Sequence, residues 1–289
     1  MPEDPPHERI DAYAARVFAA LASRSQARKA IKAERLLVDG APGRTVWWVK
    51  AGNQLTLTLP DGPSQPVLPL TLELPYVDDW LAVVNKPPGI HVRGNHVRTI
   101  HRAMRHNLPL SPHPDALPDP DPVHRLDCRT SGLVLIARTA TARVGLSQAF
   151  EGRRITKRYR AVVLGALEGE GEIDTPLDGR PALSRWRAVR TVRSLKTDWL
   201  TEVDLFPVSG RTHQLRRHIT ALGHPILGDD LYFHGPILRG SGLFLAAVEL
   251  TLAHPITGEA LHVCIDPPAK FTTHLAREVR RWRRWHGEE

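Results

Sequence analysis

Proline decides how this chain can be divided. Pro60, Pro63, Pro66, Pro69 and Pro75, with Gly62 among them, fall in one short stretch. Each proline fixes φ and removes a backbone donor, so neither a helix nor a central strand runs comfortably through the segment. Residues 60–75 therefore read as a linker between a small module, residues 8–59, and a larger one, residues 76–289. A chain of 289 residues is long enough for two unequal modules with packed cores.

In the small module Ile10, Tyr13, Ala14, Val17, Phe18 and Leu21 recur at helical spacing. Ser23 and Ser25 then offer an N-cap for a second helix. That helix interleaves Ala27, Ala30 and Ile31 with Arg24, Arg28, Lys29 and Lys32, so one face can pack while the other presents cations. Leu36–Val38 reads as a strand, Asp39-Gly40 as a tight turn, and residues 54–59 alternate with period two. Such a module is either a solvated accessory face or a binding surface for an anion.

Charge points the same way without deciding it. Lys and Arg total 39 against 31 Asp and Glu, a formal net charge of +8. That balance favours a polyanionic partner, of which nucleic acid is the commonest, though a merely soluble basic protein also fits. The two cysteines, Cys128 and Cys264, form no CxxC pair, which argues against a disulfide framework or a zinc site and for a reducing cytoplasm. His106 and His113 sit among prolines, and His213 and His218 are five residues apart, a poor spacing for a shared metal. The first residues lack a basic region followed by an apolar stretch, so no secretory leader is expected. No run approaches the roughly 20 apolar residues of a membrane span.

Four segments of the large module carry chemistry. Leu81–Val84 reads as a buried strand broken by Asn85-Lys86-Pro87-Pro88-Gly89, where Lys86 faces a phosphate or the turn is plain. Residues 107–123, rich in Pro, Asp and His, read as a mobile loop. Asp127 follows in His124-Arg-Leu-Asp127, just before Thr130-Ser131-Gly132 and an apolar strand. Arg125 and Arg129 flank it at two positions, and in extended chain i and i+2 share a side. An ion-paired carboxylate can serve as a nucleophile, but the same pattern also makes an ordinary structural salt bridge. Tyr159 lies mid-strand in residues 155–165, as core packing or as a surface for a nucleobase. Gly210 then ends a strand before Arg211, with Thr212 a candidate cap, and a helix carrying Arg216 and Arg217 runs to Leu222-Gly223.

Two resemblances join these segments. Arg9-Ile10-Asp11, Ser23-Arg-Ser-Gln-Ala-Arg28, Ile31-Lys32, Leu37-Val38-Asp39-Gly40 and Val49-Lys50-Ala51-Gly52 resemble the S4 RNA-binding domain over residues 8–59. Glu34 departs from it where glycine is usual, and Asn53 where aspartate is usual. From residue 76 to 268 the chain resembles the RluA-type pseudouridine synthases. The resemblance rests on Asn85–Gly89, His124–Asp127 with Thr130–Gly132, Lys157-x-Tyr159, Gly210–Arg216, Gly223–Asp229 and His254–Gly258, in that order. Cys128, Arg129 and Ala246 depart from its pattern.

The resemblance implies an α+β chain: a small S4-like α/β module, then a mixed, mainly antiparallel sheet with flanking helices and a central cleft. It implies that Asp127 is the catalytic aspartate, that Tyr159 stacks on the target uracil, and that Arg211 pairs with the aspartate and helps place a flipped nucleotide beside Arg125. It further implies that Arg24, Arg28, Lys29, Lys32, Lys86 and Arg216 hold RNA. The expected partner is structured RNA, ribosomal or transfer, met by a monomer without cofactor or metal. The competing readings are a catalytically idle RNA-binding or ribosome assembly factor, and a glycosidase, which would need a second fixed carboxylate near Asp127. Arg280, Arg281, Arg283 and Arg284, alternating with Trp282 and Trp285, form either more RNA surface or a solvated terminal helix.

Overall fold

The computed structural model describes residues 8–18, 20–21, 23–58, 66–233 and 241–287. The first residues, read above for a leader, Leu59 at the end of the small module, and residues 60–65, which open the expected linker, lie outside them.

The small module follows its apolar periodicity. Helix α1 (Ile10–Val17) and helix α2 (Arg24–Lys32) pack together and against Leu36, with Ile10, Ala14, Ala27, Ala30 and Ile31 inside. Ser23 caps α2, its Oγ accepting from the Gln26 N–H at 3.3 Å. α1 stops short of its pattern: Phe18 is extended and Val17 is 51% exposed. Strands β1 (Leu36–Val38), β2 (Ala41–Pro42) and β3 (Leu55–Leu57) form an antiparallel sheet in the order β2-β1-β3. Asp39 and Gly40, both at positive φ, make the turn between β1 and β2. Both departures from the S4 pattern have a local setting here. Glu34 sits at φ 54°, where glycine is easiest. Asn53 donates to the Asp39 carboxylate at 2.7 Å, a contact that aspartate could not make.

Residues 66–72, expected as linker, are laid down on the large module: Leu68, Leu70 and Leu72 pack into a core with Ile100 and Met104. The leucines between the prolines supply the apolar surface that holds them. The first strand, β4 (Glu73–Val77), begins within the expected linker.

The large sheet comprises β4, β5 (Leu81–Lys86), β6 (Ala116–Pro122), β7 (Ser131–Thr139), β8 (Thr156–Leu164), β9 (Glu170–Ile173), β10 (Ser184–Ser194), β11 (Asp198–Pro207), β12 (Leu245–Ala253) and β13 (Ala260–Cys264). Its path runs β4-β5-β7-β12-β8-β11-β10-β9, with β13 on β12 and β6 on β7. Every pairing is antiparallel except β7 with β12. Helices α3 (Ile100–Asn107), α4 (Ala140–Glu151), α5 (Gln214–Ala221) and α6 (Lys270–His286) flank it. No helix among the described residues is long and apolar enough to cross a membrane.

One reading is corrected. Residues 116–122 form β6, not a mobile loop, because β6 lies beyond the point where β12 leaves β7 and pairs with β7 alone, so its prolines cost no second ladder. Within it Asp121 is held by Arg93, His101 and Arg143, partners that no local pattern announces. The basic C-terminal segment is helix α6, which buries Phe271, His274 and Leu275 and exposes Arg280, Arg283 and Arg284. On its inner side Arg193 lies over the Trp199 ring at 3.6 Å and the Trp282 ring at 5.4 Å.

Candidate active site

Asp127 lies in the loop between β6 and β7, at a cleft of about 290 Å³. Three contacts hold that loop. The Lys86 ammonium donates to the carbonyls of Pro87, Ile90 and Cys128 at 2.9–3.0 Å. Arg129 donates to the Gly228 carbonyl at 2.8 Å and pairs with Asp230. The Thr130 N–H donates to the Asp127 carbonyl at 3.1 Å, closing a turn. The chain then enters β7 through Gly132, whose φ is +108°; a Cβ there would stand 2.0 Å from the Ala247 carbonyl of β12. Only glycine permits that approach.

Opposite the loop, α5 supplies the cations. Its N-cap is His213 in the left-handed region, not Thr212, and no side chain caps it. Gln214 fixes the preceding turn through all its polar atoms. Its Oε1 accepts from the Ser209 hydroxyl at 2.7 Å and the Arg211 N–H at 3.0 Å, and its Nε2 donates to the Leu183 carbonyl and the Ser184 hydroxyl at 2.8 and 2.9 Å. Arg216, 3% exposed, forks onto Asp229 with two hydrogen bonds of 2.7 Å. Burial pushes the Asp229 carboxyl up, but Arg216 and the N–H groups of Leu231 and Tyr232 outweigh it and hold it below the usual carboxylate range. From that anchor Arg216 Nη1 comes within 4.0 Å of Asp127, and His213 Nε2 within 3.7 Å.

Tyr159 of β8 forms a wall of the same cleft. Burial, and then the charge of Asp127, push its hydroxyl well above the usual phenol range, so it stays protonated at neutral pH. Lys157, two residues earlier on the same face, also lines the cleft, and burial lowers its proton affinity. Asp127 is the only carboxylate among the described residues lining it.

The structure thus brings Asp127, Tyr159, Arg125, Arg211 and Arg216 to one cleft. It redistributes several expected contacts. The arginine that approaches Asp127 is Arg216; Arg211 instead donates to the Pro181 carbonyl at 3.2 Å. Arg129 turns to the Gly228–Asp230 turn, and Arg125 lines the cleft, so the two do not flank the carboxylate as a pair. Lys86 and Arg216 are buried and cannot grip an RNA backbone from the surface. Burial lowers Lys86 to about 8, against the opposing pull of Cys128 and Asp127. On α2, Lys29 and Lys32 are exposed, while Arg24 and Arg28 are engaged with the buried Asp11. Sequence reading missed His213, Asp229 and Tyr232, whose hydroxyl lies 2.8 Å from His213 Nδ1. The available signals were the motifs themselves, Gly210–Arg216 around His213 and Gly223–Asp229 ending on Asp229; no motif reached Tyr232.

The profile of the RNA pseudouridylate synthase family matches residues 80–221. The dual-specificity RNA pseudouridine synthase RluA of Haemophilus influenzae is 39% identical over 211 residues, 68% of this chain and 93% of that protein. The chain belongs to the RNA pseudouridine synthases. The ribosomal large subunit pseudouridine synthase D of Vibrio parahaemolyticus is 31% identical, covering 88% of this synthase and 86% of its own length. Among solved structures, human RNA Pseudouridylate Synthase Domain Containing 1 is 27% identical with a TM-score of 0.59, over 73% of this synthase and 89% of that chain. The synthase is accordingly an isomerase that modifies RNA, and a cleft with one carboxylate among its described residues fits that chemistry better than a two-carboxylate glycosidase.

Proposed function

We propose that this synthase converts specific uridines of folded ribosomal RNA to pseudouridine, with Asp127 as the catalytic carboxylate. One observation carries the assignment: a carboxylate that stands alone among the described residues of a recessed cleft, faced by Arg216 and His213 and walled by Tyr159. A uridine stacked within folded RNA has to be extruded to reach such a recess. Tyr159 then stacks on the uracil in place of its lost neighbours, and Arg125 and Arg211 receive the flanking phosphates. Asp127 assists the departure of N1 from C1′, the base turns, and C5 bonds to C1′. C5 gives up its hydrogen and N1 takes a proton. Apart from this exchange of one proton with water nothing leaves the nucleotide and no oxidation state changes, so neither a redox cofactor nor an energy source is required.

Residues 8–59 act in this reading as an S4-like module that grips RNA phosphates through Lys29 and Lys32. The ribosomal preference is supported by the ribosomal large subunit synthases among the relatives; transfer RNA is the second candidate. One chain builds every described wall of the cleft, which supports action as a monomer, and sparse cysteine supports the cytoplasm.

Ribosomal RNA carrying uridine tritiated at C5 tests the assignment. Native protein is expected to release tritium to water without added cofactor. Asp127→Asn should lower release by about 10³-fold or more while RNA binding stays within about twofold. Undiminished release from the variant would overturn the role of Asp127, and no release from native protein would leave the idle RNA-binding factor as the better reading.

A further inference from the structure

A second concavity, of about 800 Å³, adjoins the Asp127 cleft and shares Val123–Leu126 with it as a common wall. Its other sides come from the end of α1, from His91–Arg93 and from α4. The segment that contributes His91 reads His91-Val-Arg-Gly-Asn-His-Val-Arg98, the triplet His-Val-Arg occurring twice. Gly94, at φ +126°, turns the chain between the two triplets. The His91 and His96 rings are stacked with centroids 3.9 Å apart and planes 7° from parallel. The base of this loop is clamped to the start of α3, where the Ile100 N–H donates to the His91 carbonyl at 2.9 Å and the His101 N–H to the Val92 carbonyl at 3.0 Å.

The stack serves no polar network of the protein: among the described residues neither imidazole makes a hydrogen bond. His96 is exposed, and Arg98 on the same loop is exposed as well. Burial, then the charges of His96, Lys86 and Arg125, hold the His91 ring below the ordinary histidine range, so at neutral pH it stacks as an uncharged aromatic. Arg125 links the two concavities, lining both. A flat π-surface backed by a fixed second ring and rimmed by arginine suits an unpaired nucleobase, because every base has a π-face and every nucleotide brings a phosphate.

We propose that the His91–His96 stack is a platform for the unpaired nucleotide next to the target uridine, with the RNA strand passing along the larger groove into the Asp127 cleft. The proposal rests on the RNA-modifying reading above and adds a positioning surface to it. The probe is a short RNA hairpin containing the converted uridine, with 2-aminopurine replacing each neighbouring loop nucleotide in turn. Native protein should quench the fluorescence at one of these positions. His96→Ala should abolish that quench and raise KM roughly fivefold or more, as expected for one lost base stack, with kcat within about twofold. His96→Phe should restore both, since it keeps the ring without the imidazole nitrogens. His96 is exposed, so a folding defect is not expected, and near-ultraviolet circular dichroism checks this. If His96→Ala quenches and turns over the hairpin like native protein, the platform is wrong while the RNA function stands. If native protein neither binds nor isomerises the hairpin, the functional reading fails and takes the platform with it.

Discussion

The histidine of His124–Asp127 illustrates how a motif residue can act on stability while lying beside the proposed catalytic carboxylate. The Leu135 N–H donates to His124 Nε2 at 2.9 Å, so the ring is neutral with its proton on Nδ1, and it packs 4.7 Å from the Phe150 ring. Burial, and then Lys157, push it down from 6.5 to about 4. Between those values the unfolded chain takes up a proton that the native chain refuses. Stability therefore rises with pH through this window and is lost as pH falls from 6.5 toward 4. The full effect is about 3 kcal/mol, and about 2 kcal/mol of it should be gone by pH 5. Denaturant titrations at pH 7 and pH 5 should show native protein losing about 2 kcal/mol more than His124→Gln; equal losses would acquit His124. At this scale the sequence was legible for residue type and less so for partners. Arg211 and Arg216 stand five apart in one motif, and the pairing with Asp127 was expected of Arg211. Their roles separate only because the helix begins at a left-handed His213, which sets the phase that turns Arg216 inward.

Among the elements, α2 was the most readable, since its cap, apolar face and cations are all local in sequence. What sequence could not convey is that its cations divide into two kinds. Arg24 and Arg28 are paired with Asp11, which is fully buried, whereas Lys29 and Lys32 face solvent. If α2 holds RNA phosphates, the two lysines carry the salt-dependent part. The double change Lys29→Ala with Lys32→Ala should flatten the slope of log affinity against log salt by about 1.5 and leave kcat unchanged. An unaltered slope would send the RNA path elsewhere. β6 shows the opposite case. Its prolines look decisive against a strand, and they are, except at a position that has a partner on one side alone. That exception depends on where β12 departs, which no local pattern carries.

For the whole molecule, the order of motifs in the sequence correctly foretold a shared cleft but not the scaffold that creates it. Asp127 precedes β7, and Tyr159 lies on β8; these strands never pair, because β12 lies between them. The junction of β7 with β12 depends on Gly132. Gly132→Ala would drive a methyl group into the Ala247 carbonyl at a φ that alanine resists, and should cost about 3 kcal/mol or more. Thermal unfolding would reveal it, and a native melting temperature would refute the steric argument. The placement of β12 also sets a timetable. The carboxylate and the tyrosine are synthesised early, yet the strand that spaces them begins at Leu245, more than a hundred residues after Asp127. Until that strand inserts, the nascent protein holds two half-sheets with open edges and no assembled centre, and closing so long a loop makes the step slow. Activity should therefore appear all at once and late, and a chain released just before Leu245 would be an aggregation hazard instead of a weak enzyme.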